Sequence, residues 1–259
     1  MAHPYLAGPY PRAFAHRGWH AGELAGMENS RSAFTRAVAE GYRYIETDVH
    51  ATSDGVVVMH HDATLDRTTD GRGAVAELPW SLVRGAQVGG REPICRLDEL
   101  LEELPEALLN IDVKADSAVE PVVTTLRRCE ALDRVCLASF SESRLARLRR
   151  MAGPGLLTSM GPVSVAALWA AGRTALPPLA GLAKGRIAQV PQKQGPLTVV
   201  TPGVLRVARR AGFEVHVWTV NEPERMTALL DLGVDGIVSD RPDLLRDVLR
   251  GRGTWTERV

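Results

Sequence analysis

Cysteine is scarce in this chain. Its three cysteines, Cys95, Cys129 and Cys136, form no C-x-x-C and leave an odd count. They support neither a disulfide framework nor a thiolate zinc site, and reduced, buried thiols are expected. Net charge is absent too, with 31 basic residues against 31 acidic ones. No overall field draws the protein toward nucleic acid or an anionic membrane. No uncharged apolar run reaches about 18 residues, so no integral membrane segment is indicated. Met1 to Pro11 lacks an apolar h-region, so no signal peptide is read there and the cytoplasm is the expected compartment.

What is present suits a folded globule. The chain has 259 residues, 45% of them hydrophobic and 24% charged. That is enough for one large α/β domain or two small ones. The most informative stretch is Arg43-Tyr44-Ile45-Glu46-Thr47-Asp48-Val49-His50, which has the composition of a strand. Alternation places Tyr44, Glu46, Asp48 and His50 on one face and Ile45, Thr47 and Val49 on the other. Two carboxylates on one strand face are costly to bury as anions unless a cation or donors compensate. Such an oxygen-rich pair suits one hard divalent cation, Mg²⁺ or Ca²⁺. The alternative is an edge strand with its acids in water.

Around that strand the rhythm is regular. Arg12 to His16 is predicted as a first strand, and Ser30 or Asn29 as the cap of a helix reaching Glu40. Asp54-Gly55 marks a hairpin after the acid-bearing strand, with Val56 to Met59 returning from it. Residues 63–92, rich in Gly, Thr and Asp, read as an insertion over the barrel mouth. Strands are then expected near Leu108, Val135, Leu156, Ile187, Glu214 and Gly236, each followed by a helix. Gly172 to Lys184 is a Pro/Gly-rich connection of undefined form. Eight strands alternating with eight helices predict an α/β fold, a (β/α)₈ TIM barrel with a small insertion after the second strand. An open doubly wound sheet is the alternative, weakened because no G-x-G-x-x-G or Walker-type loop follows the first strand. No linker interrupts the pattern, so residues 1–259 are expected to form one domain.

In such a barrel the site lies at the C-terminal ends of the strands. The polar residues collect there: His16-Arg17, Glu46 and Asp48, Asp112 and Lys114, Trp218-Thr219, and Ser239-Asp240. The ordered set His16-Arg17-Gly18, Glu28-Asn29-Ser30, Glu46-Thr47-Asp48, His61-Asp62 and Leu65-Asp66-Arg67-Thr68-Thr69-Asp70-Gly71 resembles the glycerophosphodiester phosphodiesterases. Asn110 to Lys114, Val217 to Asn221 and Asp235 to Pro242 extend the resemblance over nearly the whole chain. The resemblance implies a TIM barrel, a divalent metal and hydrolysis of a glycerophosphodiester to an alcohol and glycerol 3-phosphate. It implies that an adjacent substrate hydroxyl attacks first, giving a cyclic phosphate that water then opens. Position by position, it makes Glu46 and Asp48 metal ligands. Asp112 stands where the family usually shows Glu, and is expected as a third metal ligand, its shorter arm reaching the ion directly or through a water. His16 and His61 match the acid–base pair, and Arg17 and Lys114 match groups facing the phosphate. Trp218 could be plain barrel filling, but its place beside Thr219 at the strand end and its match in the family favour stacking against the alcohol part of the substrate. Gln189 is a further pocket candidate.

Elementary chemistry agrees with the assignment. A phosphodiester gains charge at its oxygens in the transition state, which a divalent ion, an arginine fork and a lysine stabilise. Histidine, with a reference pKa of about 6.5, suits both proton transfers. Which histidine is acid and which is base stays open. The expected partner is a small-molecule substrate, and the oligomeric state is not read. Two other functions remain in view. A phospholipase-D-like or cyclising enzyme acting on lysolipids would need an exposed apolar rim, and the insertion after Ala63 shows little of one. A non-catalytic phosphate-binding barrel would lack a catalytic group, whereas both histidines and all three acids are present. His3 and His20 are expected at the surface and His60 in a structural role. His50 and His216 are expected to line the pocket or core, and the basic run Arg144 to Arg150 to form a solvated helix face.

Overall fold

The predicted alternation along the acid-bearing segment holds. Tyr44–Ala51 is a strand buried along its full length, with Ile45 and Val49 in the outer core and Tyr44 in the inner one. The edge-strand alternative is thereby excluded: this strand has parallel neighbours on both sides. A computed structural model describes residues 3–174 and 177–256 of the chain. Met1 and Ala2 of the N-terminal stretch, Ala175 and Leu176 of the Gly172–Lys184 connection, and residues 257–259 lie outside the described residues.

Eight strands form the barrel. They are β1 (Arg12–His16), β2 (Tyr44–Ala51), β3 (Leu108–Val113), β4 (Val135–Ala138), β5 (Leu157–Thr158), β6 (Ile187–Pro191), β7 (Glu214–Trp218) and β8 (Gly236–Ser239). They pair in parallel in the order β5-β4-β3-β2-β1-β8-β7-β6. A parallel bridge from Ser159 to Ile187 brings the two ends together, giving a nearly closed (β/α)₈ barrel. The barrel helices are α1 (Arg31–Ala39), α2 (Leu97–Glu103), α3 (Val119–Arg128), α4 (Glu142–Ala152), α5 (Pro162–Thr174), α6 (Pro202–Ala211), α7 (Pro223–Leu232) and α8 (Pro242–Gly251).

Local chemistry explains the boundaries. Ser30, Ser141 and Thr201 each accept a backbone N–H with the side chain, capping α1, α4 and α6. Proline opens α6, α7 and α8, where its missing N–H costs nothing. The main core lies between strands and helices, and a smaller one fills the barrel around Phe14, Tyr44 and Val238. The hairpin after β2 returns through Val57–Met59 as expected. Residues 63–92 carry their own small core around Leu65, Val75, Val83 and Val88. Two features were not expected. A short hairpin pairs Lys193–Gln194 with Leu197–Thr198 after β6. Part of the Gly172–Lys184 connection is helical, because α5 runs to Thr174 and a 3₁₀ turn spans Pro177–Leu182. Nor are Arg144 and Arg149 simply solvated. Arg144 donates to Val113 O at 3.0 Å, and Arg149 to Ser159 O at 2.9 Å.

The N-terminal end of the barrel is tied by one ion pair. Buried Arg12 donates from Nε and Nη2 to Glu214, both at 2.7 Å, and from Nη1 to Tyr44 Oη at 2.7 Å. His216, at the core of this end as expected, places Nε2 3.0 Å from Glu214. Burial alone would raise the Glu214 carboxyl, but the Arg12 fork and His216 outweigh it and hold the group down at about 2, against an ordinary 4.5. A carboxylate held below its unfolded pKa stabilises fully above about pH 4.5 and progressively less as pH falls toward 2. Glu214→Gln should cost about 3 kcal/mol near neutral pH, because Arg12 is left buried without its partner. Urea unfolding followed by circular dichroism should show the deficit shrinking between pH 4.5 and about 2. A deficit constant across that window would refute the assignment.

Candidate active site

The site is built from side chains projecting at the C-terminal ends of β1, β2 and β3. Glu46, Asp48 and Asp112 are 8%, 1% and 6% exposed. Asp48 sits opposite Asp112 in the β2–β3 register. Lys114 Nζ lies 2.8 Å from Asp48 Oδ1 and 2.7 Å from Asp112 Oδ2. Arg17 Nε lies 3.2 Å from Asp48 Oδ2. Burial would raise the Asp48 carboxyl, but Lys114 and Arg17 bring it below its usual value. Glu46 is compensated only weakly, by His16 and Lys114. Burial first, and the charge of Asp48 second, push it well above the carboxylate range. Asp112 is also raised by burial, with Lys114 offsetting part of the effect.

Two histidines border these acids, each held by a carboxylate. His16 Nδ1 lies 2.5 Å from Asp240 Oδ1, and its Nε2 lies 3.6 Å from Glu46 Oε2. Burial would lower the His16 pKa, but Glu46 and Asp240 outweigh it and raise the value. His61 Nδ1 lies 2.6 Å from Asp62 Oδ1. In both rings the carboxylate engages Nδ1, which leaves Nε2 available for proton transfer.

The backbone around His16 explains its neighbours. Arg17 has a positive φ of 55° and donates its N–H to Glu46 O at 2.8 Å. Gly18 also has a positive φ, and a Cβ there would stand 2.8 Å from the Ala33 carbonyl carbon. Only glycine lets this turn lie against α1. Asn29, at φ 59°, donates from Nδ2 to Asp48 Oδ2 at 3.0 Å and accepts from Thr47 Oγ1 at 2.8 Å. In sequence Asn29 read as a possible helix cap and as part of the Glu28-Asn29-Ser30 motif, with no role of its own. Ser30 takes that part, and the amide orients Asp48 instead.

All nine candidate residues border one cavity of 760 Å³: His16, Arg17, Glu46, Asp48, His61, Asp112, Lys114, Gln189 and Trp218. Gln189 donates to Asn110 Oδ1 at 2.8 Å. Trp218 packs edge-on against Phe140, with ring centroids 5.8 Å apart, and borders the cavity while also packing against the inner barrel core. Asp240 was seen in sequence as a strand end without a role. Its partner His16 is 224 positions away, so only barrel closure joins them. His20, expected at the surface, is half-buried and points Nε2 at Asp240, 3.5 Å away. His60 is structural as expected, with Nε2 2.8 Å from Thr64 O. His50 places Nε2 3.3 Å from His61 O and does not border the cavity. The opposite wall is apolar. Met160, Val165 and Trp169 come from the β5–α5 region, and Leu197 and Val199 from the unexpected hairpin and its exit.

The fit of a divalent cation is tested by this donor set. Among the described residues, no three His, Cys, Asp or Glu already converge as a ready metal cage. Yet Asp112 Oδ1 is buried with no hydrogen-bond partner, and Glu46 stands raised for want of positive charge. Bare carboxylate oxygen and a shortage of cations in one cluster are what a hard divalent ion satisfies. The residues fit the group.

A (β/α)₈ barrel with buried acids, paired cations and two carboxylate-held histidines at its C-terminal rim defines an enzyme site for an anionic substrate. The model of the glycerophosphoryl diester phosphodiesterase family matches residues 16–244, and the chain belongs to that family. It is 44% identical over 250 residues to "Probable glycerophosphodiester phosphodiesterase 2" of Mycobacterium tuberculosis, covering 94% of this chain and 92% of the relative. It is 26% identical over 273 residues to a human lysophospholipase D, covering 91% and 85%. A solved phosphodiesterase of Oleispira antarctica, in complex with the product sn-glycerol-3-phosphate, shares the fold with a TM-score of 0.75 at 22% identity, over 93% of this chain and 97% of that one. No helix among the described residues is long and apolar enough to cross a membrane.

Asp240→Asn keeps the shape of the side chain but removes the charge that orients His16. Turnover of a glycerophosphodiester should fall by about 10²-fold, the lower end of the scale for general acid–base catalysis, with KM little changed. Wild-type turnover in the variant would remove Asp240 from the site.

Proposed function

We propose that the chain, acting as one domain, hydrolyses glycerophosphodiesters to an alcohol and glycerol 3-phosphate, with His16 and His61 sharing the proton transfers. One observation carries this reading: two histidines, each engaged at Nδ1 by a carboxylate, border the same cavity as the acid cluster and its two cations. A divalent ion, Mg²⁺ or Ca²⁺, held by Glu46, Asp48 and Asp112, would supply charge to the phosphate oxygens. Arg17 and Lys114 add two fixed positive charges on the same side. The glycerol hydroxyl next to the phosphate attacks after one histidine takes its proton. The other histidine protonates the leaving alkoxide. The same pair, with roles exchanged, brings water onto the cyclic phosphate. Trp218 and Gln189 line the part of the cavity that takes the alcohol.

A specific observation also supports a second reading, on lysolipids. The apolar rim sought in the insertion after Ala63 lies elsewhere. It is built by Phe140, Val165, Trp169, Leu197 and Val199, of which Phe140 and Leu197 are exposed. That wall could hold an acyl chain on the glycerol. Comparing glycero-3-phosphocholine with its 1-acyl counterpart, with phosphorus NMR of the products, separates the readings. Higher kcat/KM for the acylated substrate favours the second, and a persisting cyclic phosphate marks a cyclising enzyme.

His16→Ala and His61→Ala should each lower kcat by about 10²–10⁴-fold. On a glycerol 3-phosphate p-nitrophenyl ester, whose leaving group needs no proton, the variant lacking the general acid should recover much of its rate. Near wild-type rates in both variants would refute the mechanism. Glu46→Gln and Asp48→Asn should abolish metal-dependent turnover. Glu46→Gln should leave a folded barrel, since removing that anion relieves repulsion when no ion is bound. Asp48→Asn also leaves Lys114 and Arg17 short of a partner and should lower the thermal midpoint. Isothermal calorimetry with Mg²⁺ and Ca²⁺ checks the binding loss directly, and unchanged affinity in both variants would sink the ligand assignment.

A further inference from the structure

The loop after His61 folds back on itself and presents Arg67 to the site side. Leu65 is buried in the small core of residues 63–92. Its N–H donates to Gly73 O at 3.0 Å, and its carbonyl accepts from Thr69 Oγ1 at 2.7 Å. Thr69 Oγ1 in turn accepts from Gly71 N–H at 3.0 Å. This knot fixes the backbone on both sides of Arg67. The Arg67 guanidinium then binds two carboxylates at once. It donates to Asp62 Oδ2 at 2.5 Å and Oδ1 at 3.1 Å. It also donates to Glu28 Oε1 at 2.8 Å and Oε2 at 3.0 Å.

Behind each carboxylate stands a group that borders the cavity. Asp62 Oδ1 engages His61 Nδ1. Glu28 Oε1 accepts from Arg17 Nη1 at 2.8 Å. Glu28 and Arg67 do not border the cavity themselves. We propose that Arg67 is a positioning residue, which clamps Asp62 to Glu28 and so aims His61 and Arg17 at one phosphate. The proposal rests on the phosphodiesterase reading above.

Three physical points favour orientation over stability as the purpose of the clamp. Arg67 is half-exposed, and exposed ion pairs contribute little to folding. Its planar fork matches two carboxylates bidentately, which an ammonium cannot do. Its hydrogen bonds are the leading cause holding Asp62 far below the ordinary carboxylate range. In Glu28, burial opposes ionisation, but Arg67 and Arg17 together outweigh it and lower the pKa. Both carboxylates therefore remain charged acceptors. A charged, immobile Asp62 keeps the His61 proton on Nδ1 and its Nε2 toward the reaction. Without Arg67, Asp62 would be free to turn toward solvent and the ring would lose its fixed tautomer.

The test compares wild type, Arg67→Gln, Arg67→Lys, Asp62→Asn and the double variant Asp62→Asn/Arg67→Gln, using glycero-3-phosphocholine as substrate. Arg67→Gln is expected to lower kcat by about 10–100-fold, the scale of a misplacement near 1 Å, with the thermal midpoint unchanged. Arg67→Lys should recover little of that loss. In the Asp62→Asn background, Arg67→Gln should cost far less than in wild type, because both changes break one chain of contacts. Nitrogen-15 NMR of the imidazoles should show a single Nδ1–H tautomer for His61 in wild type and a mixture in Arg67→Gln. Wild-type kcat with an unchanged tautomer in Arg67→Gln overturns the clamp, as do fully additive losses in the double variant. So does a loss of turnover that only tracks a lowered thermal midpoint. If wild type itself fails on every glycerophosphodiester, the phosphodiesterase reading falls, and the His61 tautomer in Arg67→Gln alone decides the clamp.

Discussion

The constraint on which the rest of the site depends is the burial of Glu46 and Asp48 on the inner face of β2. Two carboxylates withdrawn from water on one strand demand positive charge nearby. The chain brings it from two directions. Arg17 arrives from the end of β1 through a turn that only a positive φ and a glycine permit. Lys114 arrives from the end of β3, two residues beyond Asp112. These cations suffice for Asp48 but not for Glu46, and Asp112 keeps a buried oxygen with no partner. The site is thus built with an electrostatic deficit. A deficit of this kind costs stability, and binding a cation relieves it. Stability is set aside at the point where binding is wanted.

The histidines follow a common plan by different routes. Each is engaged by a carboxylate at Nδ1, but Asp240 belongs to the end of β8, whereas Asp62 is the next residue after His61. His16 is therefore aimed by the closure of the barrel, since β1 and β8 are neighbours only in the folded sheet. His61 lies in a loop beside the hairpin and has no strand to hold it. It needs support from elsewhere, and residues 63–92, with a core of their own, supply it through Arg67.

Legibility in the sequence follows the range of each interaction. The Glu46-Thr47-Asp48 alternation was readable because strand period acts over two residues, and the helix caps at Ser30 and Ser141 because they act over three. Eight of the nine candidate residues were readable from short motifs and Gln189 from its place near a strand end, and all meet in one cavity. The work of Asp240 on His16, of Asn29 on Asp48 and of Arg12 on Glu214 was not. Each joins residues 19 to 224 positions apart whose proximity comes from packing rather than local pattern. The hairpin at Lys193–Thr198 escaped for another reason. Its strands are two residues long, too short for any period to show.

That hairpin matters for how a substrate lies. The charged wall comes from β1, β2 and β3, while α5 and the hairpin make the apolar wall facing it. A phosphodiester carries its charge in the middle and a substituent on each side. On the reading proposed above, with the phosphate against Lys114 and Arg17, one substituent would pass the histidines and the other would run along Trp218 and Trp169. An apolar or aromatic face gives no anchor to a small hydrated polyol, but it does shelter carbon that would otherwise meet water. On the same proposed reading, choice among substrates would fall to the apolar wall and its hairpin rather than to the buried acids. Altering Leu197 or Val165 would redirect the choice of alcohol or acyl group while leaving the phosphate chemistry in place.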